Sequence, residues 1–247
     1  MNNVTGNDIL NKSMNKYLLG RKDIYRSEDM NIKAVIWDLD GTLLNTLDDL
    51  AASTNAALAQ NGLPVRTTDE VRNFVGNGVH KLIARAMPDS GDAHPQFQAV
   101  LEAFVAHYGV HSKDQTRPYD GIMDVLDTLA GEGVKLAIVS NKVDFAVKTL
   151  SCDYFGERMV SAVGDDPSRN KKPAPDSVWE AMRQMDVTAQ EAVYVGDSDV
   201  DVITARNAGI PCIAVTWGFR SEESLIAAGA QHVARKPEEI LQIVKQL

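Results

Sequence analysis

From residue 32 onward the chain alternates short, almost continuously apolar runs with stretches of helical periodicity, and this alternation restricts the fold more than any other feature. The runs are 32–37 (IKAVIW), 134–139 (VKLAIV), 158–163 (RMVSAV), 192–195 (AVYV) and 212–216 (CIAVT), with a short sixth at 231–234. A strand with one wet face alternates apolar and polar residues. Runs that are apolar at nearly every position predict parallel strands covered on both faces. The intervening stretches carry helix punctuation. In "DGIMDVLDTLAGEG" Ile122, Leu126 and Leu129 share a face, Asp120 is the expected cap and Gly131 the expected stop. In "DVDVITARNAG" Asp199 and Gly209 take those roles. The predicted fold class is α/β, a doubly wound parallel sheet with a Rossmann-like core.

One segment breaks the alternation. Residues 46–116 hold no strand-like run and read as helices near 46–60, 68–74, 79–87 and 95–108, with breaks at Gly62-Leu63-Pro64, Gly76-Asn77-Gly78 and Pro88. A connection this long between the first and second strands is not a plain crossover. It predicts a helical subdomain inserted straight after the first strand. The expected organisation is an N-terminal extension over 1–30, a core formed by 31–45 and 117–247, and a helical cap over 46–116. Residues 1–30 are rich in Asn and mixed charge and contain no apolar h-region, so they do not read as a secretory signal. They are expected to be a flexible extension, with Met30 an alternative start of the folded unit.

Lys and Arg total 25 against 34 Asp and Glu, a net charge of −9. That balance argues against nucleic acid or an anionic membrane as partner, since both need a basic face. It also requires any anionic ligand to be held locally, by a metal, a lysine or backbone N–H groups. No apolar run approaches the ~18 residues of a membrane-spanning helix. Cys152 and Cys212 form no CxxC pair and read as reduced core residues of a cytoplasmic protein. His107 and His111 are four residues apart, but Gly109 lies between them and speaks against a metal-binding pair.

The polar residues at the strand ends are of a particular kind. The first strand runs into "DLDGT", with Asp38, Asp40 and Thr42; the second ends in "IVSNK", with Ser140 and Asn141; the fourth ends in "VGDSDVD", with Asp197, Asp199 and Asp201. Between the third and fourth lies "KKPAPD", containing Lys172. Each has an ordinary structural explanation alone: turn chemistry, a helix cap, a dipole partner or a solvated charge run. Together they fall at the carboxyl ends of strands that converge on one crevice of a doubly wound sheet. Asp38, Asp40 and Asp197 in one crevice would repel one another without a cation between them. Oxygen-only ligands point to a hard metal, and Mg²⁺ fits best. A metal, a lysine, hydroxyls and backbone N–H groups make a cradle for a phosphoryl group, and a carboxylate beside them is a competent nucleophile. No GxxxxGK[ST] or GxGxxG loop is present.

DxDGT at Asp38–Thr42, Ser140-Asn141, Lys172 in KPxPD and GDxxxD at Asp197–Asp201 resemble, in order, the four motifs of the haloacid dehalogenase-like hydrolase superfamily. The resemblance spans residues 31–247. The stretches "VRNFVGNGVHKLI" and "VTWGFRSEESLIAAGAQHV" are most similar to its phosphoglycolate phosphatase-like branch. It implies a Mg²⁺-dependent phosphatase that hydrolyses a small phosphorylated metabolite through an aspartyl-phosphate. Asp38 would attack phosphorus and bind the metal. Asp40 would serve as general acid and then base, with its backbone carbonyl on the metal. Thr42, Ser140 and the N–H of Asn141 would hold the phosphoryl group. Lys172 would offset its charge, Asp197 would complete the metal site, and Asp201 would orient metal waters or Lys172. The chain departs from the family's frequent Asp-Ser at Asn45-Thr46, which touches the hinge into the insert rather than the chemistry.

Asp40 argues against the halogen-removing and phosphonate-cleaving branches, which lack a carboxylate there. A sugar phosphomutase keeps it and is the enzymatic alternative; the Gly-Asn-Gly loop favours the phosphatase. A catalytically silent binding module is the other alternative, against which stands the occupancy of every chemical position. Arg72, Asn77, His80 and Lys81 are candidates for facing the substrate from the insert.

Overall fold

The computed structural model describes residues 31–89 and 91–247. The expectation of a flexible extension over residues 1–30 lies outside the described residues. Six strands form one parallel sheet: β1 (Ala34–Trp37), β4 (Lys135–Val143), β5 (Met159–Asp165), β6 (Ala192–Gly196), β7 (Cys212–Val215) and β8 (His232–Ala234), in the order β5-β4-β1-β6-β7-β8. Each corresponds to one of the apolar runs. Alternate residues Ala34, Ile36, Ala137, Val139, Ala192 and Tyr194 pack against α7 (Asp176–Met185) and α8 (Asp199–Ala208) through Val178, Ala181, Met185 and Ala205. The other set, Val35, Trp37, Leu136, Ile138, Val193 and Val195, is equally buried, so both faces are covered. α5 (Ile122–Gly131) and α6 (Asp144–Phe155) also pack on the sheet, and α9 (Glu222–Ala227) and α10 (Glu239–Val244) close the far end.

β1 is central, flanked by β4 and β6 with Ile36 opposite Ala137 on one side and Tyr194 on the other. The chain runs outward from β1 through β4 to β5 and then crosses back to β6. That reversal places the crevice at the carboxyl ends of β1, β4 and β6.

After β1 the chain forms β2 (Leu44–Asn45), which pairs antiparallel with β3 (Arg117–Pro118). Between this pair lie four helices: α1 (Leu47–Gln60), α2 (Thr68–Phe74), α3 (Val79–Ala86) and α4 (Phe97–His111). They share a core of Leu47, Leu50, Leu58, Val71, Leu82, Ile83, Phe97, Val100 and Phe104. Asp49 in α1 is buried and accepts the N–H groups of Gln115 and Thr116 and the Thr116 hydroxyl. One carboxylate thus ties the outgoing chain to the returning one.

Two cap assignments and one burial assignment are corrected. Gly121, in the left-handed region at φ 86°, precedes α5, and no side chain caps that helix. Ser198, not Asp199, caps α8, in a reciprocal box with Asp201; Gly209 at φ 75° ends it as expected. Cys152 lies on an exposed position of α6, while Cys212 is partly buried.

Candidate active site

Asp38 is the first residue past β1, and its N–H donates to the Val195 carbonyl at 2.9 Å, continuing the ladder with β6 by one residue. Its carboxylate receives the Lys172 ammonium at 2.8 Å. The same ammonium reaches Asp201 Oδ1 at 2.8 Å and the Tyr194 hydroxyl at 2.9 Å. Lys172 is 5 % exposed, so it is a buried cation shared by two carboxylates. Burial disfavours its charge, but Asp201 and Asp38 outweigh that and hold the amine well above its ordinary value. Asn141 clamps the lysine backbone: its Oδ1 accepts the Lys172 N–H at 2.9 Å and its Nδ2 donates to the Lys172 carbonyl at 3.1 Å.

Asp197, at the end of β6, accepts the Thr42 hydroxyl at 2.9 Å and the Phe219 N–H at 2.7 Å. Burial, then the charge of Asp201, push its pKa up to about 7. Burial, then Asp201, likewise push Asp38 well above the usual carboxylate range, against the pull of Lys172. Asp201, in the first turn of α8, accepts the Ser198 N–H with its second oxygen. Two glycines make this closeness possible. A Cβ on Gly41, at φ 90°, would stand 2.5 Å from an Asp197 oxygen, and one on Gly218 would stand 2.3 Å from the Asp197 Cβ.

One oxygen each of Asp38, Asp197 and Asp201 lies within 4.8 Å of the others. Three buried carboxylates against one lysine leave uncompensated negative charge, and the raised Asp197 pKa registers it. An oxygen-only donor set of this kind fits a hard divalent cation. The sequence expectation was Asp38, Asp40 and Asp197 as ligands with Asp201 in support. In the structure the carboxylate of Asp40 is not in the cluster; it turns to Lys142, whose Nζ lies 3.0 Å from Oδ1 and 3.1 Å from Oδ2. Ser140 is buried beside Asn141 and accepts the Lys142 N–H at 3.2 Å. All eight expected residues therefore meet at one end of the sheet.

Sequence reasoning missed Lys142, Tyr108 and Arg220. Lys142 follows Ser140-Asn141 directly, and that adjacency was the available signal. Arg220 carried none. Its guanidinium donates to the carbonyls of Arg72 at 3.0 Å and Val75 at 2.7 Å, linking the loop after β7 to the end of α2. Of the insert residues expected to face the substrate, His80 lines the cavity above the site and stacks on Phe97 with ring centroids 4.8 Å apart. Asn77 accepts from Arg85, and Arg72 pairs with Asp69. That cavity, about 310 Å³, runs from Asp38 and Lys172 between the insert and the sheet, walled by Leu50, Val79, Leu82, Phe104 and Tyr108.

A family model described as haloacid dehalogenase-like hydrolase matches residues 35–215. The phosphoglycolate phosphatase of Thiobacillus denitrificans is 34% identical over 202 residues, covering 78% of this chain and 87% of that one. The N-acetylmuramic acid 6-phosphate phosphatase of Pseudomonas aeruginosa is 31% identical over 217 residues, covering 87% and 96%. Among solved structures, a candidate phosphoglycolate phosphatase from Lactobacillus delbrueckii subsp. bulgaricus superposes with a TM-score of 0.82 at 34% identity, covering 86% of this chain and 98% of that one. The four ordered motifs, the sheet order and these matches agree: the chain belongs to the haloacid dehalogenase-like hydrolase family, in its phosphoglycolate phosphatase-like branch, and is a phosphatase of phosphoric monoesters.

Proposed function

We propose that the protein hydrolyses a small phosphorylated metabolite of the phosphoglycolate kind, with Mg²⁺ bound by Asp38, Asp197 and the Asp40 carbonyl, and with Asp38 as the nucleophile. The observation that carries this reading is the placement of Lys172, 2.8 Å from Asp38 on one side and 2.8 Å from Asp201 on the other. A lysine so held opposes the burial and the Asp201 charge that push the Asp38 pKa up, and aims the carboxylate without acting as a base itself. Bound Mg²⁺ would supply charge neutralisation for Asp38 and the phosphoryl oxygens.

The proposed steps on this chain's own atoms are these. Thr42, Ser140 and the Asn141 N–H hold the phosphoryl oxygens. An Asp38 oxygen attacks phosphorus, the P–O bond to the alcohol breaks, and Asp40 delivers a proton to the departing oxygen. Asp40 then takes a proton from water as that water attacks the phosphoryl group on Asp38, which frees phosphate and restores the carboxylate.

Residues 46–116 act as the cap over this chemistry. The β2–β3 pair at their two ends and their separate core support that division. Closure over the crevice excludes water and selects the alcohol. Similar relatives are a phosphoglycolate phosphatase and an N-acetylmuramic acid 6-phosphate phosphatase, which makes both kinds of leaving group candidates for the cavity. Two free cysteines support a cytoplasmic setting. No helix among the described residues is long and apolar enough to cross a membrane.

Phosphate release should be measured from phosphoglycolate, sugar phosphates, nucleoside monophosphates and nitrophenyl phosphate, with Mg²⁺ and with a chelator. Turnover that needs Mg²⁺ and is fastest on phosphoglycolate or a small sugar phosphate is the expected result. Release unaffected by the chelator would overturn the metal assignment, and a nucleotide preference would overturn the substrate class.

A further inference from the structure

Lys142, Asp40 and Tyr108 come from three different parts of the fold and meet at the mouth of the cavity. Asp40 sits in the turn after β1, Lys142 at the end of β4, and Tyr108 on α4 of the insert. The Lys142 ammonium contacts both Asp40 oxygens, at 3.0 and 3.1 Å, and the Tyr108 hydroxyl at 3.0 Å. It also lies 4.8 Å from the centre of the Tyr108 ring. Both side chains of the ion pair are largely buried, Lys142 at 10% exposure and Asp40 at 15%. Tyr108 in turn stacks on Phe104 of the insert core, with ring centroids 5.3 Å apart.

A free aspartate side chain rotates about two bonds and presents its oxygens in many directions. A cation touching both oxygens removes that freedom while occupying only part of their acceptor capacity; each carboxylate oxygen keeps a second lone-pair site. The ammonium is itself braced by a tyrosine on a packed helix. Asp40 is therefore held on the cavity side, away from the carboxylates of Asp38, Asp197 and Asp201, where the alcohol of a bound ester would leave.

We propose that Lys142 is the positioning residue for Asp40, and that Tyr108 makes this positioning depend on where the insert sits. The inference rests on Asp40 being the general acid and base. A proton donor displaced by an ångström loses on the order of 10²-fold in rate, so the contact has kinetic weight. An insert swung away would withdraw Tyr108 and loosen Lys142, leaving Asp40 poorly aimed when the site is open to water.

The test is kcat/KM for Lys142→Met, Lys142→Arg, Tyr108→Phe and Asp40→Asn on two esters: nitrophenyl phosphate, whose leaving group needs no proton, and an alkyl phosphate with an uncharged alcohol. This ratio reports the step in which the alcohol departs. Lys142→Met should lose roughly 10- to 100-fold on the alkyl ester and less than about threefold on the nitrophenyl ester. Lys142→Arg should recover most of that loss, and Tyr108→Phe should show a smaller loss of the same pattern. Adding Lys142→Met to Asp40→Asn should cost nothing further on the alkyl ester. Equal losses on both esters for Lys142→Met, with Asp40→Asn still discriminating between them, would mean a structural contact only and overturn the proposal. With phosphoglycolate measured alongside, a loss seen on that ester and absent on the uncharged alkyl ester would make Lys142 a substrate contact and overturn it too. If Asp40→Asn itself affected both esters alike, the acid–base reading of Asp40 would fail first and the inference with it. Should Lys142→Met fold poorly, Tyr108→Phe carries the same comparison.

Discussion

The backbone N–H of Phe219 donates to Oδ2 of Asp197 at 2.7 Å, so a carboxylate of the acidic cluster is held by the loop that follows β7. The next residue, Arg220, grips the insert through the carbonyls of Arg72 and Val75. Gly218, just before, permits the approach to Asp197. Three consecutive residues thus connect the proposed metal site to the helices above it.

Arg220→Ala should release the end of α2 from the sheet. Hydrogen bonds to a charged group contribute about 1.5–3 kcal/mol, so kcat/KM on the preferred substrate should fall roughly tenfold or more. Nitrophenyl phosphate, which asks less of the insert, should lose less. Titrating both substrates against the variant and the parent checks this, and equal losses would refute the coupling.

Gly218→Ala would place a Cβ 2.3 Å from the Asp197 Cβ and 2.4 Å from the Gly41 carbonyl oxygen. Something must move, and Asp197 is the partner in contact. The Mg²⁺ concentration for half-maximal activity should rise about 10- to 100-fold, the usual cost of disturbing what supports a metal ligand. An unchanged Mg²⁺ requirement in a folded variant would show that Asp197 is not a ligand.

Asp38→Asn should abolish turnover, because a neutral amide cannot form an acyl phosphate. Rapid quenching of the parent with a labelled, activated ester should capture a phosphoryl group on Asp38. Label on any other residue would sink the assignment.

The metal-free protein should lose stability as pH rises. Asp197 titrates near 7 when folded and near 3.8 when unfolded, so between those values the folded chain holds a proton that the unfolded chain has released. Stability then falls with rising pH across that window. Even about 1 kcal/mol of this would lower the unfolding midpoint by roughly 2–4 °C. Mg²⁺, by compensating the ionised carboxylates, should raise the midpoint more at pH 8 than at pH 5. Calorimetry with and without the ion decides it; a midpoint that climbs from pH 5 to pH 8 without metal would contradict the sign.

The large elements were readable because their physics is periodic. Strands buried on both faces are apolar throughout, as in Val35 to Trp37 and Val193 to Val195, and the helices of the insert announce themselves by their breaks at Pro64, Gly76 and Pro88. The pair β2–β3, two residues each, has too little length to show any period. Asp38 and Asp197 were legible because each directly follows an apolar strand, and Asp201 because it stands in the first turn of a helix; Asp40, Thr42, Ser140, Asn141 and Lys172 were legible through the short motifs that contain them. Lys142 and Arg220 were not, since their partners Asp40 and Val75 lie 102 and 145 positions away in the chain. A lone long side chain looks the same in sequence whether it meets water or a carboxylate. The cap at Ser198 was misread as Asp199 because two acceptors stand side by side there, and only the backbone geometry separates them.

The insert leaves the sheet at Asn45 and returns at Arg117, directly opposite on the neighbouring strand, with Asp49 fastening the two passages together. For the six-stranded sheet this is a doorway one strand wide, and beyond it the insert touches the sheet's catalytic end through a few side chains such as Arg220 and Lys142. The chain between those two residues could be lengthened, shortened or exchanged for another bundle that begins and ends at the same stem. Lineages carrying this catalytic end could change their diet of alcohols by rewriting one contiguous passage of the gene, and a protein engineer could graft a different passage at the same two joints.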